Sequence, residues 1–255
     1  MRYLVLTDIH ANLEALDACL ADARARGFDR TLVLGDLVGY GADPNAVIDR
    51  VLALEPAAIV RGNHDKVASG IEQADGFNSV AKSAAHWTLD ALTPAHRAWL
   101  IALPAGPIVV DDLIQICHGS PFDEDAYIFD ELDAARALKA SQRPLCLFGH
   151  THYPVTFVLA DDALDVLPAA EPEKGHGSES AGGQIVLVDG AKYLLNPGSV
   201  GQPRDGDSRA AYAIVDERRR RVELYRLRYD IGAAQAKVVK AGLPDVLAQR
   251  LGVGR

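Results

Sequence analysis

The side chains in this chain that could do chemistry are acidic residues, amides and histidines that follow short apolar runs. Half of them stand beside a glycine, and the set comprises Asp8, His10, Asp36, Asn63, His64, His118, His150 and His152. Five of the eight histidines in the chain belong to this set. Any one of these residues could be a helix-capping residue or a histidine whose hydrogen bonds are satisfied in the core. That interpretation explains poorly why such residues follow apolar runs repeatedly. Carboxylate oxygens and imidazole nitrogens that converge on one point are ligands for divalent cations of intermediate softness.

The set contains more ligand-type residues than one tetrahedral or octahedral ion needs when open positions must remain for a substrate. We therefore predict two metal ions that share a carboxylate, and Asp36 is the natural bridge. No cysteine belongs to the set, which favours Mn²⁺ first, then Fe, Co²⁺, Ni²⁺ or Zn²⁺, over copper or iron–sulfur centres. The histidines argue against Ca²⁺ and Mg²⁺. Two such ions can acidify a bridging water to hydroxide near neutral pH and hold phosphoryl oxygens for in-line attack.

Strands and helices that alternate along the chain are predicted to bring these residues together. Apolar runs at residues 3–6, 31–34, 57–60 and 145–148 are typical of buried strands, and residues 12–25 and 44–54 show helical spacing. This alternation predicts parallel strands whose carboxyl ends meet at one edge of a sheet, where open α/β folds bind ligands. Alternation along an extended strand also predicts that Asp8 and His10 face the same side. Asn12, just before the first helix, is interpreted as its N-cap.

The remaining segments predict one domain over residues 1–255 with a helical excursion. Residues 66–104, extended in one alternative by residues 122–140, are predicted to form a helical cap over the metal edge. Residues 155–167 are typical of a hairpin, and the polar, low-complexity residues 168–183 predict a loop, so His176 within it is left out of the site. Residues 184–227 alternate apolar with polar side chains and predict antiparallel strands.

Composition and charge narrow the class of protein. Apolar residues make up 49% of the chain and charged residues 24%, as in soluble globular proteins. The net charge is -9, and the one basic run, residues 218–221, is interpreted as a turn between exposed strands, so a nucleic-acid partner is unlikely. The first ten residues are too polar for a signal peptide, and no stretch suits a membrane span. Three dispersed cysteines indicate reduced thiols, so we expect a cytoplasmic location.

The ordered motifs D-x-H, G-D, G-N-H-D, an isolated histidine and G-H-T-H resemble those of the calcineurin-like metallophosphoesterase superfamily. The resemblance covers residues 1–155 and extends loosely to residues 196–199 (NPGS), which are similar to a segment of its small bacterial and archaeal phosphodiesterase-like branch. It implies a four-layer α/β/β/α sandwich. It also implies a first metal bound by Asp8, His10, Asp36 and His152, and a second bound by Asp36, Asn63, His118 and His150. His64 would remain uncoordinated and face the substrate.

The sequence departs from the serine/threonine protein phosphatases of this superfamily. In those enzymes the G-D motif continues to an Asp-Arg pair that orients the catalytic histidine and binds phosphate, whereas Gly39 and Tyr40 occur in the corresponding run here. Asp65 adjoins His64 but could point away from it. Arg204, after a Gly/Pro-rich loop, is a candidate replacement for the missing cation, with a surface salt bridge as the alternative. Tyr127 is a candidate contact for a base or an aryl leaving group.

These observations predict a dinuclear-metal phosphoesterase, either a phosphodiesterase or a phosphatase, that acts on a small nucleotide-like or other phosphate ester. In this prediction the bridging hydroxide attacks phosphorus and His64 assists the leaving group, a role usually worth about 10²- to 10⁴-fold in rate. One alternative is a serine/threonine protein phosphatase, which Gly39 and Tyr40 disfavour. The other is a non-catalytic metal-binding scaffold on the same fold, which the complete ligand set disfavours.

Overall fold

Twelve strands and eight helices occur in residues 1–167 and 180–255, the part of the chain that the computed structural model describes. One sheet contains β1 (Arg2–Leu6), β2 (Arg30–Val33), β3 (Ala58–Ile59), β9 (Ser180–Val186), β11 (Ala210–Asp216) and β12 (Arg221–Leu227). The other contains β4 (Ile108–Val109), β5 (Ile114–Ile116), β6 (Leu145–Leu147), β7 (Val155–Ala160), β8 (Ala163–Leu167) and β10 (Lys192–Asn196). Their spatial orders are β3-β2-β1-β11-β12-β9 and β4-β5-β6-β10-β7-β8.

The helices lie between these strands and at the end of the chain. They are α1 (Leu13–Arg26), α2 (Pro44–Leu52), α3 (Asn63–Ser69), α4 (Ser79–Ala91), α5 (Pro94–Ile101), α6 (Glu131–Ala140), α7 (Ile231–Lys240) and α8 (Asp245–Val253). Each of these helices is too short or too polar to span a bilayer.

Alternate residues of the central strands face different layers. In β1, Tyr3 and Val5 pack between the two sheets, while Leu4 and Leu6 pack with residues of α1 and α2 on the outer face. In β6, the side chain of Cys146 packs on the opposite outer face with residues of α6. Because a strand directs successive side chains to opposite faces, such strands build a helix layer, two sheets and a second helix layer. The predicted α/β class and four-layer α/β/β/α arrangement are confirmed.

Several strands that precede the predicted ligands run parallel, as expected. β1 pairs in parallel with β2, β2 with β3, and β5 with β6, so their carboxyl ends share an edge in each sheet. The predicted antiparallel pairing over residues 184–227 is correct for β9, β11 and β12. It is only partly correct for β10, which is antiparallel to β7 but parallel to β6. The alternation of apolar and polar residues reports which face is buried, and it carries no information about the direction of the partner strand.

The polar stretch predicted as a loop over residues 168–183 is shorter than expected. Ser180–Val186 forms β9 and pairs along its whole length with β12. The prediction failed at this end because ladder hydrogen bonds use backbone groups and do not require apolar side chains. Residues 168–179, including His176, lie outside the described residues. The hairpin predicted at residues 155–167 is confirmed as β7 and β8.

Two local predictions concern the ends of elements. Asn12 is the N-cap of α1: its side-chain oxygen accepts a hydrogen bond from the Ala15 amide at 3.1 Å, as predicted. Its amide nitrogen donates to the Gly201 carbonyl at 2.9 Å and so joins the start of α1 to the loop after β10. Residues 218–220 of the basic run do lie in the turn from β11 to β12, and Arg221 begins β12, but the strands are not exposed as expected, because β11 is buried along its length.

The predicted helical excursion corresponds to α3, α4 and α5. Ala81 and Ala84 of α4 pack with Val238 of α7 and with residues of α8, so α4 contacts the helices at the end of the chain. Phe77, in the loop between α3 and α4, lies with its ring centroid 4.5 Å from that of His64. This loop and α3 are the parts of the excursion that approach the predicted site.

Candidate metal centre

Loops at the carboxyl ends of the strands, together with the first turn of α3, carry all the predicted ligands. Asp8 and His10 follow β1, and Asp36 follows β2; Asn63 and His64 open α3; His118 follows β5; His150 and His152 follow β6. The acidic and imidazole side chains of this set are all buried. The structure therefore brings the predicted residues together at one edge of the two sheets.

Left-handed backbone conformations place five of these side chains. The φ angles are 51° at Asp8, 49° at His10, 51° at Asp36, 67° at His150 and 60° at His152. Such angles are uncommon outside glycine and cost of order 1–3 kcal/mol each where the surroundings impose them. The predicted mechanism, strand alternation, is wrong for the first pair because β1 ends at residue 6. The two side chains converge because the turn after the strand reverses the chain.

Four lone-pair atoms converge in a first group formed by Asp8, His10, Asp36 and His152. The Nδ1 atoms of the two histidines donate to backbone carbonyls, His10 to Val38 at 3.1 Å and His152 to Gln202 at 2.6 Å. Their Nε2 atoms therefore carry lone pairs, and these nitrogens face each other at 3.1 Å. Burial lowers the pKa of both imidazoles well below the ordinary range. Two facing lone pairs beside carboxylate oxygens fit a cation between them.

Asp36, His118 and His150 form a second group. His118 Nδ1 donates to the Leu34 carbonyl at 2.8 Å, so its Nε2 faces the Asn63 side-chain oxygen at 3.2 Å. His150 is oriented the other way: its Nε2 donates to the Asp125 carbonyl at 3.0 Å, which leaves Nδ1 as its ligand atom. Asn63 thus lies where a further oxygen ligand to this group is expected.

One oxygen of Asp36 belongs to both groups. Its Oδ2 atom lies 3.5 Å from His10 Nε2 and 3.5 Å from His118 Nε2. Its other oxygen accepts the backbone N–H of His64 at 2.9 Å, which fixes the carboxylate plane. This is the geometry expected of a bridging carboxylate.

The buried charges also favour bound cations. Burial raises the pKa of Asp8 to about 7. Burial acts in the same direction on Asp36, but the nearby His118 and His64 bring the pKa of that carboxyl well below its ordinary range. Burial opposes a charge on His118 as well, yet attraction to Asp36 raises its pKa to about 10. Two carboxylates removed from water need positive charge beside them, and divalent ions supply it.

His64 is buried beside the two groups without belonging to either. Its ring centroid lies 4.3 Å from Tyr40 and 4.9 Å from His10. Its Nδ1 atom is buried and has no hydrogen-bond partner within the described part of the chain. A Cβ at Gly39, whose φ is 88°, would lie 2.7 Å from that nitrogen, so the ring needs glycine there. Burial lowers the pKa of His64 to about 4, so the ring is neutral at ordinary pH.

Asp65 points away from His64. Its carboxylate accepts hydrogen bonds from the backbone amides of Leu37 (2.9 Å), Val38 (3.1 Å) and Gly62 (2.9 Å). It therefore fixes the loop that carries Asp36 against the start of α3, and it does not orient the His64 ring.

Arg204, the predicted phosphate contact, reaches the edge of the site. Its Nη2 atom donates to Gln202 at 3.1 Å and lies 3.5 Å from the Tyr40 hydroxyl, while its Nε is buried without a partner among the described residues. No carboxylate of residues 1–167 or 180–255 pairs with it, so the surface salt bridge considered as an alternative is absent there. After burial itself, the charge of Arg204 is the largest influence that lowers the pKa of His152.

Tyr127 also lies at the site. Its ring stacks on that of His150 with a centroid distance of 3.8 Å, and 44% of the residue is exposed. Phe122, considered beside it, lies instead under Arg136, whose Cζ is 4.9 Å from the ring centroid.

Sequence reasoning missed residues that support the ligands from a distance along the chain. The Ser199 hydroxyl donates to the Asp8 carbonyl at 2.8 Å, and Asn196 donates to the Gly149 carbonyl at 2.7 Å. Thr7 donates to the Asp8 carboxylate at 2.9 Å. The NPGS segment was the available signal for the first two, because its match extended past the ligand motifs.

Comparisons with known proteins identify the family. A model described as the calcineurin-like phosphoesterase superfamily domain matches residues 1–220. The uncharacterized protein MJ0912 of Methanocaldococcus jannaschii is 36% identical over 259 residues, which cover 98% of this chain and 97% of that protein. The crystal structure of a metallophosphoesterase from Sphaerobacter thermophilus is similar, with a TM-score of 0.84 and 38% sequence identity. The match covers 100% of this chain and 99% of that protein. The hypothetical protein PH1004 from Pyrococcus horikoshii shares the fold, with a TM-score of 0.76, 20% identity and coverage of 100% and 98%. As the ordered motifs predicted, this chain belongs to the calcineurin-like phosphoesterase superfamily.

Proposed function

We propose that this protein is a dinuclear-metal phosphoesterase that hydrolyses a small phosphate ester. The observation that carries the proposal is the Asp36 oxygen that lies 3.5 Å from a histidine nitrogen of each of the two ligand groups. The first ion would be bound by Asp8, His10, Asp36 and His152, and the second by Asp36, Asn63, His118 and His150. Nitrogen and oxygen ligands without thiolate support Mn²⁺ as the first choice, with Fe, Zn²⁺, Co²⁺ or Ni²⁺ as alternatives.

Three side chains near the ligand groups are assigned to contacts with the substrate. When bound, two divalent ions acidify water to a nucleophile near neutral pH and neutralise the phosphoryl oxygens. We assign His64, whose Nδ1 has no hydrogen-bond partner among the described residues, to the leaving oxygen, which the neutral ring can assist by donating a hydrogen bond. We assign Arg204 to a phosphoryl oxygen because its buried Nε also has no partner in the described residues. Tyr127, half exposed beside His150, is a substrate contact.

The helical excursion of residues 66–104 is proposed as a cap over the metal edge. Its Phe77 ring lies 4.5 Å from that of His64. The position of Tyr127 supports the extension of this cap to residues 122–140. The net charge of -9 favours a small ester over a nucleic acid as the substrate. The three buried free cysteines fit a reducing compartment, so we place the protein in the cytoplasm.

Two alternative functions remain outcomes of the test. A protein serine/threonine phosphatase is disfavoured because Tyr40 packs on His64, where the Asp-Arg pair of those enzymes would be expected along the chain. A non-catalytic scaffold is disfavoured by the buried nitrogens of His64 and Arg204 that have no partner within residues 1–167 and 180–255. A buried donor without a partner costs about 1–3 kcal/mol, so a ligand that satisfies both groups is the simpler explanation.

The experiment combines metal analysis with hydrolysis. The purified protein is reconstituted with Mn²⁺, and bound metal is measured with hydrolysis of a bis-aryl phosphate diester, an aryl monoester and a dinucleoside polyphosphate. We expect about two ions per chain in the wild type. Asp36→Asn should lose metal, and His64→Ala should keep it while the rate falls by about 10²- to 10⁴-fold. His96→Ala is the matched control, because His96 bonds to Asn45 and Asp49 outside the site.

The outcomes separate the possibilities. Only one ion per chain in the wild type would show that the dinuclear arrangement is wrong. Two ions without turnover of any ester would favour the scaffold.

A further inference from the structure

We propose that Tyr127 and Phe129 form a stacking subsite for a flat aromatic group, such as a nucleobase, on the alcohol side of the ester. This inference rests on the proposed phosphoesterase function and names the class of substrate that it would select. Aromatic side chains bind bases of any sequence because every base presents a π face.

The rings of His150, Tyr127 and Phe129 stack on one another in that order, and we call this stack the ladder. It begins at His150, a predicted metal ligand. The Tyr127 ring is stacked on His150 at 3.8 Å with an interplanar angle of 25°, and the Phe129 ring is stacked on Tyr127 at 5.0 Å and 7°. Two rings parallel to Tyr127 at these distances would collide if they shared one side of it. Tyr127 therefore lies between the other two, and Phe129 forms the outer end of the stack.

Phe129 is not explained by the packing of the protein. It is 67% exposed, so it buries little apolar surface. Tyr127 alone already covers the ring of His150. A second, parallel ring in an exposed position suits a ligand that adds to the stack, since offset parallel rings attract one another beyond simple burial.

The segment that carries these rings is firmly anchored. Both carboxylate oxygens of Glu124 accept from Arg61 at 3.0 Å. The ammonium of Lys66, whose side chain is only 4% exposed, contacts the Asp125 carboxylate at 2.5 Å. The Asp125 carbonyl also accepts from His150. An anchored platform loses little freedom when a ligand stacks on it, which favours affinity.

The charges around the ladder match a phosphate ester that bears an aromatic group. The Arg204 Cζ lies 5.8 Å from the ring centroid of Tyr40, which packs on His64, so a cation stands at the edge of the site. The Tyr127 hydroxyl has no hydrogen-bond partner within residues 1–167 and 180–255, so it is available to a sugar or base. A phosphoryl group at the ligand groups would lie beside His150, the ring at which the ladder begins.

The test compares substrates that differ only in the base. Mn²⁺-reconstituted protein is given AMP and ribose 5-phosphate, and the methyl diesters of both, because each pair shares the same reacting bonds. We expect kcat/KM to be about 5- to 150-fold higher with the base present. In Phe129→Leu this ratio should fall toward one. Leu132→Ala is the matched control, because Leu132 is 72% exposed on the next helix and belongs to no stack; its ratio should equal that of the wild type.

The possible failures point to different conclusions. Hydrolysis with a wild-type ratio near one, or a ratio that Phe129→Leu leaves unchanged, overturns the stacking subsite and leaves the phosphoesterase assignment intact. If none of the four esters is hydrolysed, the proposed function fails for this class of substrate. Calorimetric titration with AMP and ribose 5-phosphate then decides the subsite: tighter binding of AMP that Phe129→Leu abolishes supports it, and equal binding overturns it.

Discussion

We expect the geometry of the candidate metal centre to depend strongly on Asp65, a buried residue that belongs to neither group of converging ligand atoms. Its carboxylate accepts from the backbone amides of Leu37, Val38 and Gly62. These hydrogen bonds connect the loop that carries Asp36 to the first turn of α3. Removal of this side chain should therefore disturb the site without touching a ligand.

The size of the effect follows from the hydrogen bonds. Asp65→Ala leaves three buried donors without an acceptor, at about 1–3 kcal/mol each, so the free energy of unfolding should fall by about 3–9 kcal/mol. Asp65→Asn retains one acceptor oxygen and should lose about half as much. Burial, followed by the charge of Asp36, raises the pKa of Asp65 to about 7, against the pull of the backbone donors. Measurements at about pH 8 therefore report on the ionised carboxylate.

Urea unfolding followed by circular dichroism measures the change in the free energy of unfolding. The slope of this free energy against urea concentration should be the same in every variant, which indicates that the unfolded state is unchanged. The control is Asp112→Asn, an exposed aspartate without a hydrogen bond to the described residues, which should change stability by no more than about 0.5 kcal/mol. Folded Asp65→Asn should also bind less Mn²⁺ than the control. If Asp65→Ala unfolds within about 0.5 kcal/mol of the wild type, the two loops are fixed by other contacts and our reasoning is refuted.

Three further predictions concern anchoring, pH and metal. Lys66→Met should destabilise the protein by at most about 3 kcal/mol, because the partners of Lys66 are partly exposed, and Lys66→Arg should recover part of the loss in the same urea assay. Burial acts to raise the pKa of Glu124, but Arg61 and Lys66 bring it below the ordinary 4.5. The difference in unfolding free energy between wild type and Glu124→Gln should thus be full at neutral pH and shrink as the pH falls below 4.5 through the lowered pKa of Glu124; a constant difference would contradict the assignment. If the free Mn²⁺ concentration is 100 times Kd, removal of the metal by a chelator should lower the free energy of unfolding by about 2.7 kcal/mol per site. Scanning calorimetry checks this, and the unfolding of Asp36→Asn should not change when the chelator is added.

Residue types and their spacing were enough to predict the family and most of the architecture. The apolar runs before Asp8 and Asp36, and the strand ends near His118 and His150, were visible because strand patterns depend on neighbouring residues. The cap at Asn12 was predictable for the same reason, since capping uses a donor three residues away.

Contacts between distant residues decided what the sequence pattern could not show. The left-handed turns at the ligands and the role of Asp65 depend on packing between loops that are separate in the chain. Which nitrogen of His150 faces the site depends on the carbonyl of Asp125, which accepts from the other nitrogen. The parallel direction of β10 and the stack of Tyr127 on His150 are likewise long-range. Periodicity and motif order describe neighbours along the chain, whereas these features are set by partners that only folding brings within hydrogen-bonding or stacking distance.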